Sequence, residues 1–296
     1  MKNKSKKELA VCGFEAVKAL CRLNPEKIRR LYFDESHRYD FGDICKKMAE
    51  RKAPYNIVKD VTELEKLCGS VHHQGVVAMI AQPEIEPLSK EITLEWLHTK
   101  QSALVLDRVG NANNLGAIVR SAAFFGMKNI VIPLDESQSS ITTSSYRVAQ
   151  GGMELVNIYS VRSIPKLLLA MKGKMVSFGT DLKAKKNVSE ISSLCGNKPA
   201  LIVLGNEEEG ISSEVRKCCD ELIIIPFAGF GGATAESSTG LSGNKNGISA
   251  GNKIGANKKT TVSAPVQSLN VAQASSVILY EWAKNGNFSA DKSERV

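Results

Sequence analysis

Short, fully apolar runs and apolar residues spaced three and four apart alternate along this chain, the first pattern predicting buried strands and the second amphipathic helices. Val11, Phe14, Val17 and Leu20 share helical spacing and predict a helix over 11–23, ended by Asn24-Pro25. Ile28–Phe33 then reads as a strand, Asp43–Arg51 as a helix and Tyr55–Val58 as a strand. Val61–Cys68 reads as a helix with Asp60 or Thr62 as its N-cap, and Gly75–Ile80 as a buried strand. Pro83 and Pro87, with acidic residues between them, predict a linker, set at 86–100, and Thr93–His98 reads as a short helix that opens the second unit. Beyond it, strands at Ala103–Leu106, Asn129–Ile132, Met175–Thr180, Leu201–Leu204 and Glu221–Ile225 alternate with helices at Leu115–Phe125, Ser163–Met171 and Ser213–Cys218. A last helix is expected over Asn270–Trp282. Such alternation predicts an α/β fold with a mostly parallel sheet covered on both faces.

One stretch departs from both patterns. Residues 231–265 are rich in Gly, Ser, Asn, Thr and Lys and hold few apolar side chains. They cannot bury enough surface to offset ordering entropy, so a disordered, mildly basic insertion is expected there. The expected organisation is therefore 1–85, a linker at 86–100, and 101–290 with the insertion inside it.

Composition narrows the function classes. The chain has 296 residues, 43% hydrophobic and 24% charged, as in a globular protein with room for two domains. Its net charge of +8 favours polyanionic partners. Lys18, Arg22, Lys27, Arg29 and Arg30 are candidates for a phosphate-binding face, a plain solvated face being the alternative. The 7 cysteines stand at irregular spacing without a C-x-x-C pair, which argues for reduced thiols and against zinc. No metal site is expected, and His72 and His73 read as structural or surface residues. No apolar run reaches the roughly 20 residues of a membrane span, and the basic start MKNKSKKELA lacks a signal sequence's apolar stretch. A cytoplasmic location is expected.

Three stretches carry candidate chemistry. Asn111-Ala-Asn-Asn-Leu-Gly-Ala-Ile-Val-Arg120 follows a strand ending in Asp107, so its polar groups face the carboxyl edge of the sheet, where such folds bind ligands. Taken alone, it is also consistent with Asn113 or Asn114 capping a helix and Arg120 lying on its surface. Leu204-Gly-Asn-Glu-Glu-Glu-Gly210 is an acidic turn in which Gly205 and Gly210 permit close backbone approach and positive φ. Its carboxylates repel phosphate and suit hydroxyls, amines or positive charge. Ser268-Leu-Asn-Val-Ala-Gln-Ala-Ser-Ser enters the last helix, and Ser268 or Asn270 is placed to cap it.

In this order the three stretches, with Ile225-Pro-Phe between the last two, resemble the SpoU/TrmH family of RNA ribose 2′-O-methyltransferases. The resemblance spans about 101–285 apart from the insertion. The N-terminal part, from Cys12-Gly-Phe-Glu-Ala-Val17 to His73-Gln-Gly-Val76, resembles the small RNA-substrate-binding domain, of ribosomal-protein-like fold, that precedes many members. The resemblance implies a C-terminal α/β domain tied in a trefoil knot, an exception to the rule against knotted chains, and S-adenosyl-L-methionine as cofactor. It implies that Leu204, Gly205, Ile225, Pro226, Ser268, Leu269 and Asn270 hold that cofactor, and that Asn114, Arg120, Glu207 and Asn270 form the catalytic set. It also implies a homodimer that completes the active site. This chain departs from the pattern with Glu208 where a glycine is common, and with the insertion between Phe227 and Ser268.

The expected activity is methyl transfer from S-adenosyl-L-methionine to a ribose 2′-hydroxyl, in ribosomal RNA because of the N-terminal domain. Transfer RNA as substrate, and a non-catalytic RNA-binding protein on the same scaffold, are the alternatives. A nicotinamide-dependent dehydrogenase is excluded, since no Gly-x-Gly-x-x-Gly follows an early strand.

Overall fold

The computed structural model describes residues 7–135, 137–227 and 268–284, which form two sheets. The first is built from β1 (Glu8–Cys12), α1 (Phe14–Leu23), β2 (Ile28–Asp34), α2 (Gly42–Glu50), β3 (Tyr55–Val58), α3 (Thr62–Cys68) and β4 (Val76–Ala81). Its order is β1-β4-β2-β3, with β2 and β3 parallel and the other pairs antiparallel. Side chains alternate across it. Leu9, Val11, Val76, Ala78 and Ile80 enter one apolar cluster, while Ala10, Cys12, Val77 and Met79 enter another. Burial on both faces makes β1 a continuous apolar run, which is why the sequence pattern merged its end with the helix that follows. The helix expected from Val11 begins at Phe14, after Gly13 turns the chain with φ 95°.

The second sheet holds β5 (Glu86–Pro87), α4 (Lys90–Thr99), β6 (Ala103–Asp107), α5 (Ala112–Phe125), β7 (Asn129–Pro133), α6 (Thr143–Ala149), β8 (Asn157–Val161), α7 (Ile164–Met171), β9 (Val176–Thr180), β10 (Lys186–Asn187), α8 (Ile191–Cys195), β11 (Ala200–Gly205), α9 (Ser213–Cys218), β12 (Glu221–Ile224) and α10 (Val271–Trp282). Its order is β10-β12-β9-β11-β6-β7-β8-β5, and every pairing is parallel. Parallel strands need cover on both faces, and they have it. Leu104, Leu106, Ile130, Ile202 and Leu204 pack with Ile118 of α5 and Leu279 of α10. Val105, Val131, Leu201 and Val203 pack with Trp96 of α4, Leu167 and Leu168 of α7 and Val215 of α9.

The segment 86–100, expected as a linker, is not free chain. Glu86 and Pro87 pair with Tyr159 and Ser160, and the Trp96 ring meets Tyr159 with centroids 5.7 Å apart. α6 and β8 were not expected from the sequence. Thr142 caps α6 in a reciprocal box whose partner is Ser145 rather than Glu or Gln, which weakens the signature.

Helix α1 and the turn after it dock on the turn Gly151–Glu154. The Glu154 side chain, 1% exposed, accepts from Asn24 Nδ2 at 2.6 Å and pairs with Lys27 Nζ at 3.2 Å. The residues 228–267 lie outside the described ones. The insertion expected at 231–265 falls there, as does part of the C-terminal region in which the resemblance implies a knot.

Candidate active site

From β6 the chain runs to β7 on one side and, later, to β11 on the other, so the order reverses between β6 and β11. Ligands bind outside the carboxyl ends of strands at such a switch point. The register Leu204↔Leu106 and Gly205↔Asp107 sets the loop after β6 beside the loop after β11.

The loop after β11 is closed on itself. Asn206 N donates to Gly210 O at 3.0 Å and Gly210 N to Asn206 O at 2.9 Å. The Asn206 side chain accepts from Glu208 N at 2.9 Å and Glu209 N at 3.2 Å, and donates to Arg108 O at 3.1 Å. Gly210 takes φ 69°, the left-handed turn its residue type permits. At Gly205 a Cβ would stand 2.1 Å from the Gly210 carbonyl carbon and 2.2 Å from Ile211 N. The glycine at 205 therefore serves loop closure. Asp107 accepts from Ser212 N at 2.6 Å and fixes the start of α9 beyond the loop. Arg108, at φ 63°, pairs with Glu209 and with Asp107. The roles of Asn206, Asp107 and Arg108 in closing this edge are not legible in the sequence, where Asp107 stands only as a strand end and Asn206 only within the acidic turn.

Three stretches far apart in sequence meet at this edge. Asn270 Nδ2 donates to Asn114 Oδ1 at 3.3 Å, and Asn114 Nδ2 donates to Glu207 Oε1. Asn270 also caps α10, accepting from Ala272 N at 2.9 Å. Neither Asn113 nor Asn114 caps α5: Asn111 does, accepting from Asn113 N at 2.8 Å. This frees the Asn114 side chain for the link between loops. Three of the four residues implied to be catalytic are thus joined, and Arg120 is not among them. Arg120 is exposed on α5 and makes no hydrogen bond or ion pair with the described residues.

Of the residues implied to hold the cofactor, Leu204 and Gly205 are buried at the end of β11. Ile225 and Pro226 continue past the last residue of β12, so their backbone is not committed to that strand. Ser268 and Leu269 are exposed. The carboxylates of this edge and its uncommitted backbone groups suit a ligand with hydroxyls, an ammonium and a sulfonium, so the donor set fits S-adenosyl-L-methionine.

The expected phosphate-binding face of the N-terminal sheet is partly spoken for. Lys27 pairs with Glu154 and Arg30 with Glu8, which leaves Lys18, Arg22 and Arg29 facing solvent. His73 is buried, its Nδ1 accepting from Gly75 N at 3.0 Å, which is a structural role. Among the described residues there is no group of three or more His, Cys, Asp or Glu that could hold a metal ion, and no helix is long and apolar enough to cross a membrane.

Residues 101–231 match the SpoU rRNA Methylase family, and residues 10–86 match the RNA 2′-O ribose methyltransferase substrate binding family. A 23S rRNA (guanosine-2′-O-)-methyltransferase RlmB of Acinetobacter baylyi is 33% identical over 227 residues, which cover 73% of this chain and 87% of that protein. The chain belongs to the SpoU family. An uncharacterized tRNA/rRNA methyltransferase of Haemophilus influenzae is 30% identical over 172 residues, and the chain covers 48% of that longer relative and 58% of its own length. The SpoU fold is seen again in the methyltransferase AviRb from Streptomyces viridochromogenes, solved in complex with AdoMet. It has a TM-score of 0.62 and 20% identity, covering 96% of this chain and 92% of that one. The SpoU match begins at residue 101, two residues before β6, and the substrate-binding match ends at residue 86, where β5 starts.

Proposed function

We propose that this chain transfers a methyl group from S-adenosyl-L-methionine to the 2′-hydroxyl of a guanosine ribose in 23S ribosomal RNA. The observation that carries this reading is the Asn270–Asn114–Glu207 chain of hydrogen bonds, which gathers three remote stretches at the carboxyl edge of the switch point. The matched substrate-binding part and the relatives named for 23S rRNA favour ribosomal over transfer RNA.

When bound, the cofactor supplies a methyl group on a sulfonium that needs no further activation. The protein must align the ribose oxygen with that carbon and lower the cost of the charge that develops on the oxygen. Alignment alone supplies up to roughly 7–11 kcal/mol in ideal cases. Glu207, by accepting from Asn114, fixes the asparagine amide so that it presents one orientation to the ribose. Arg120 supplies a cation that stabilises the oxyanion as it develops, and the hydroxyl proton passes to solvent water.

In a single chain the Arg120 side chain makes no hydrogen bond with Asn114, Glu207 or Asn270, which favours a homodimer in which the partner supplies it. Arg120 and Phe124 lie four residues apart on one face of α5, and Phe124 is 81% exposed. Beside them Val277 and Tyr280 of α10 are exposed, with Tyr280 set edge-on to Phe125 at 6.3 Å. A second copy covering this apolar face brings Arg120 of one protomer to the site of the other.

The test is calorimetric titration with S-adenosyl-L-methionine beside a methyl-transfer assay on 23S rRNA. Micromolar cofactor binding, weakened by Asn270→Ala, with transfer abolished by Arg120→Ala while cofactor affinity stays, is the expected result. Cofactor binding absent at millimolar concentration overturns the enzyme and leaves an RNA-binding protein.

A further inference from the structure

The carboxyl edge that holds the proposed active site is rich in carboxylates. Asp107, Asp135, Asp181, Glu207, Glu208 and Glu209 stand on or just beyond the strand ends there. Arg108, Arg162, Lys183, Lys185 and Lys186 stand at the same edge, so its charge is mixed, and a folded RNA held through its phosphates calls for further cationic contacts.

The opposite edge is basic. Lys174, Lys198, Lys100 and Lys128 come just before β9, β11, β6 and β7, four neighbouring strands of the sheet. The register sets the strand starts that they precede side by side. Val176 pairs with Ala200, and Leu201 pairs with Ala103, which pairs with Asn129. Lys174 and Lys198 therefore stand two residues before paired positions. Lys100 stands two residues before Ser102, the β6 neighbour on the same level. Lys128 is on that level itself. Strands lie about 4.8 Å apart, so the four lysines span roughly 15 Å of edge. All four are exposed, as is Lys172 beside them, and none makes an ion pair among the described residues. Of the two acidic residues at the start of β12, Asp220 is engaged by Ser177, whose amide and hydroxyl donate to it at 3.0 and 2.7 Å, and Glu221 pairs with Lys186. The turns that carry the row are fixed from inside. Ala200 N donates to Ser102 Oγ at 2.9 Å, and Asn129 Nδ2 donates to Gln101 Oε1 at 2.9 Å.

Helices α4, α5, α7 and α8 end at this edge, and lysines there also complement the helix dipoles. That role needs no alignment across strands.

We propose that the amino edge of the parallel sheet, Lys174–Lys198–Lys100–Lys128, is a second RNA contact that binds the phosphate backbone of the substrate away from the nucleotide being methylated. The proposal rests on the RNA methyltransferase reading and extends it. The row lies at the far end of strands about 17 Å long, with helices on both faces between it and the proposed site. It therefore acts on a folded RNA that reaches around the domain, not on a short single strand. It changes affinity and leaves the chemical step alone.

The experiment compares the full chain with Lys100→Gln/Lys128→Gln/Lys198→Gln and with a charge-matched control, Lys90→Gln/Lys166→Gln/Lys217→Gln. Each binds a folded 23S rRNA fragment across a salt series. Removing one lysine–phosphate pairing should flatten the plot of log affinity against log salt by about 0.9 in duplex RNA or 0.7 in single strands, taking the DNA-derived values over to RNA. A slope flatter by about 2–3 in the edge variant, with the control, the cofactor affinity and the melting temperature unchanged, is the expected outcome. KM for the fragment then rises while kcat stays, and a short oligonucleotide carrying only the target loop shows no difference. An unchanged slope, or an equal change in the control, overturns the second RNA contact while leaving the methyltransferase intact. Loss of methyl transfer in the unmodified chain overturns the enzyme instead, and the salt slope still decides whether the edge binds RNA.

Discussion

At Gly205 the backbone of Gly210 and Ile211 occupies the space any side chain would need. Gly205→Ala must push the acidic loop away from β11. The expected cost is about 1–3 kcal/mol of stability, read as a shift of the urea midpoint, together with weakened cofactor binding in the same preparation. Asn111→Ala removes the cap of α5 and is expected to cost about 1 kcal/mol, with the Asn114–Glu207 link retained because neither partner is touched. Among the thiols, Cys68 is set apart. A hydrogen bond from the Cys12 thiol lowers it below the ordinary thiol value, whereas burial pushes Cys21 and Cys219 up to about 12 and Cys195 up to about 11. At pH 7.5 limited alkylation followed by peptide mass spectrometry should find Cys68 modified before those three. An early label on Cys21 would contradict that order.

Among elements, the contact between α1 and the turn before β8 is held by one buried carboxylate. Glu154 takes Asn24 and Lys27 from the N-terminal part, and a Cβ at Gly152 would come within 3.2 Å of the Arg120 Cα. Docking of the RNA-binding part therefore bears on the helix that carries Arg120. Asn24→Ala strips a buried acceptor of its closest partner and is expected to cost about 1–3 kcal/mol. Lys27→Ala, whose ammonium is half exposed, is expected to cost under ~1 kcal/mol. Equilibrium denaturation of the two variants ranks them, and equal losses would show that the hydrogen bond is not what holds the turn. Element types were legible wherever one period ran unbroken, as in α9 and β3, whose bounds match the sequence reading. They were illegible where tertiary packing decides: β1 is buried on both faces and carries no alternation, and β5 is an edge pair of two residues. The candidate site was legible as three stretches. Their meeting through Asn114 was not, because the helix cap that frees it is Asn111, and cap choice turns on backbone geometry rather than residue type.

For the whole molecule, the exposed Phe124 and Tyr280 beside Arg120 predict that self-association and activity fall together. Phe124→Glu/Tyr280→Glu is expected to elute as a monomer in size-exclusion chromatography with light scattering and to lose methyl transfer. A dimer of unchanged mass would place the interface elsewhere. The pairing of β6 with β11 joins residues about a hundred positions apart, and α10, from the far end of the chain, lies on α5 through Ser276 and Ser121 at 2.8 Å. During synthesis at ~5–20 residues per second, β6 waits several seconds for its partner strand, and α5 waits longer for the helix that covers it. The nascent protein must therefore carry an uncovered apolar surface for that interval. Its yield in the cell should depend on chaperone capacity and translation speed more steeply than its equilibrium stability suggests.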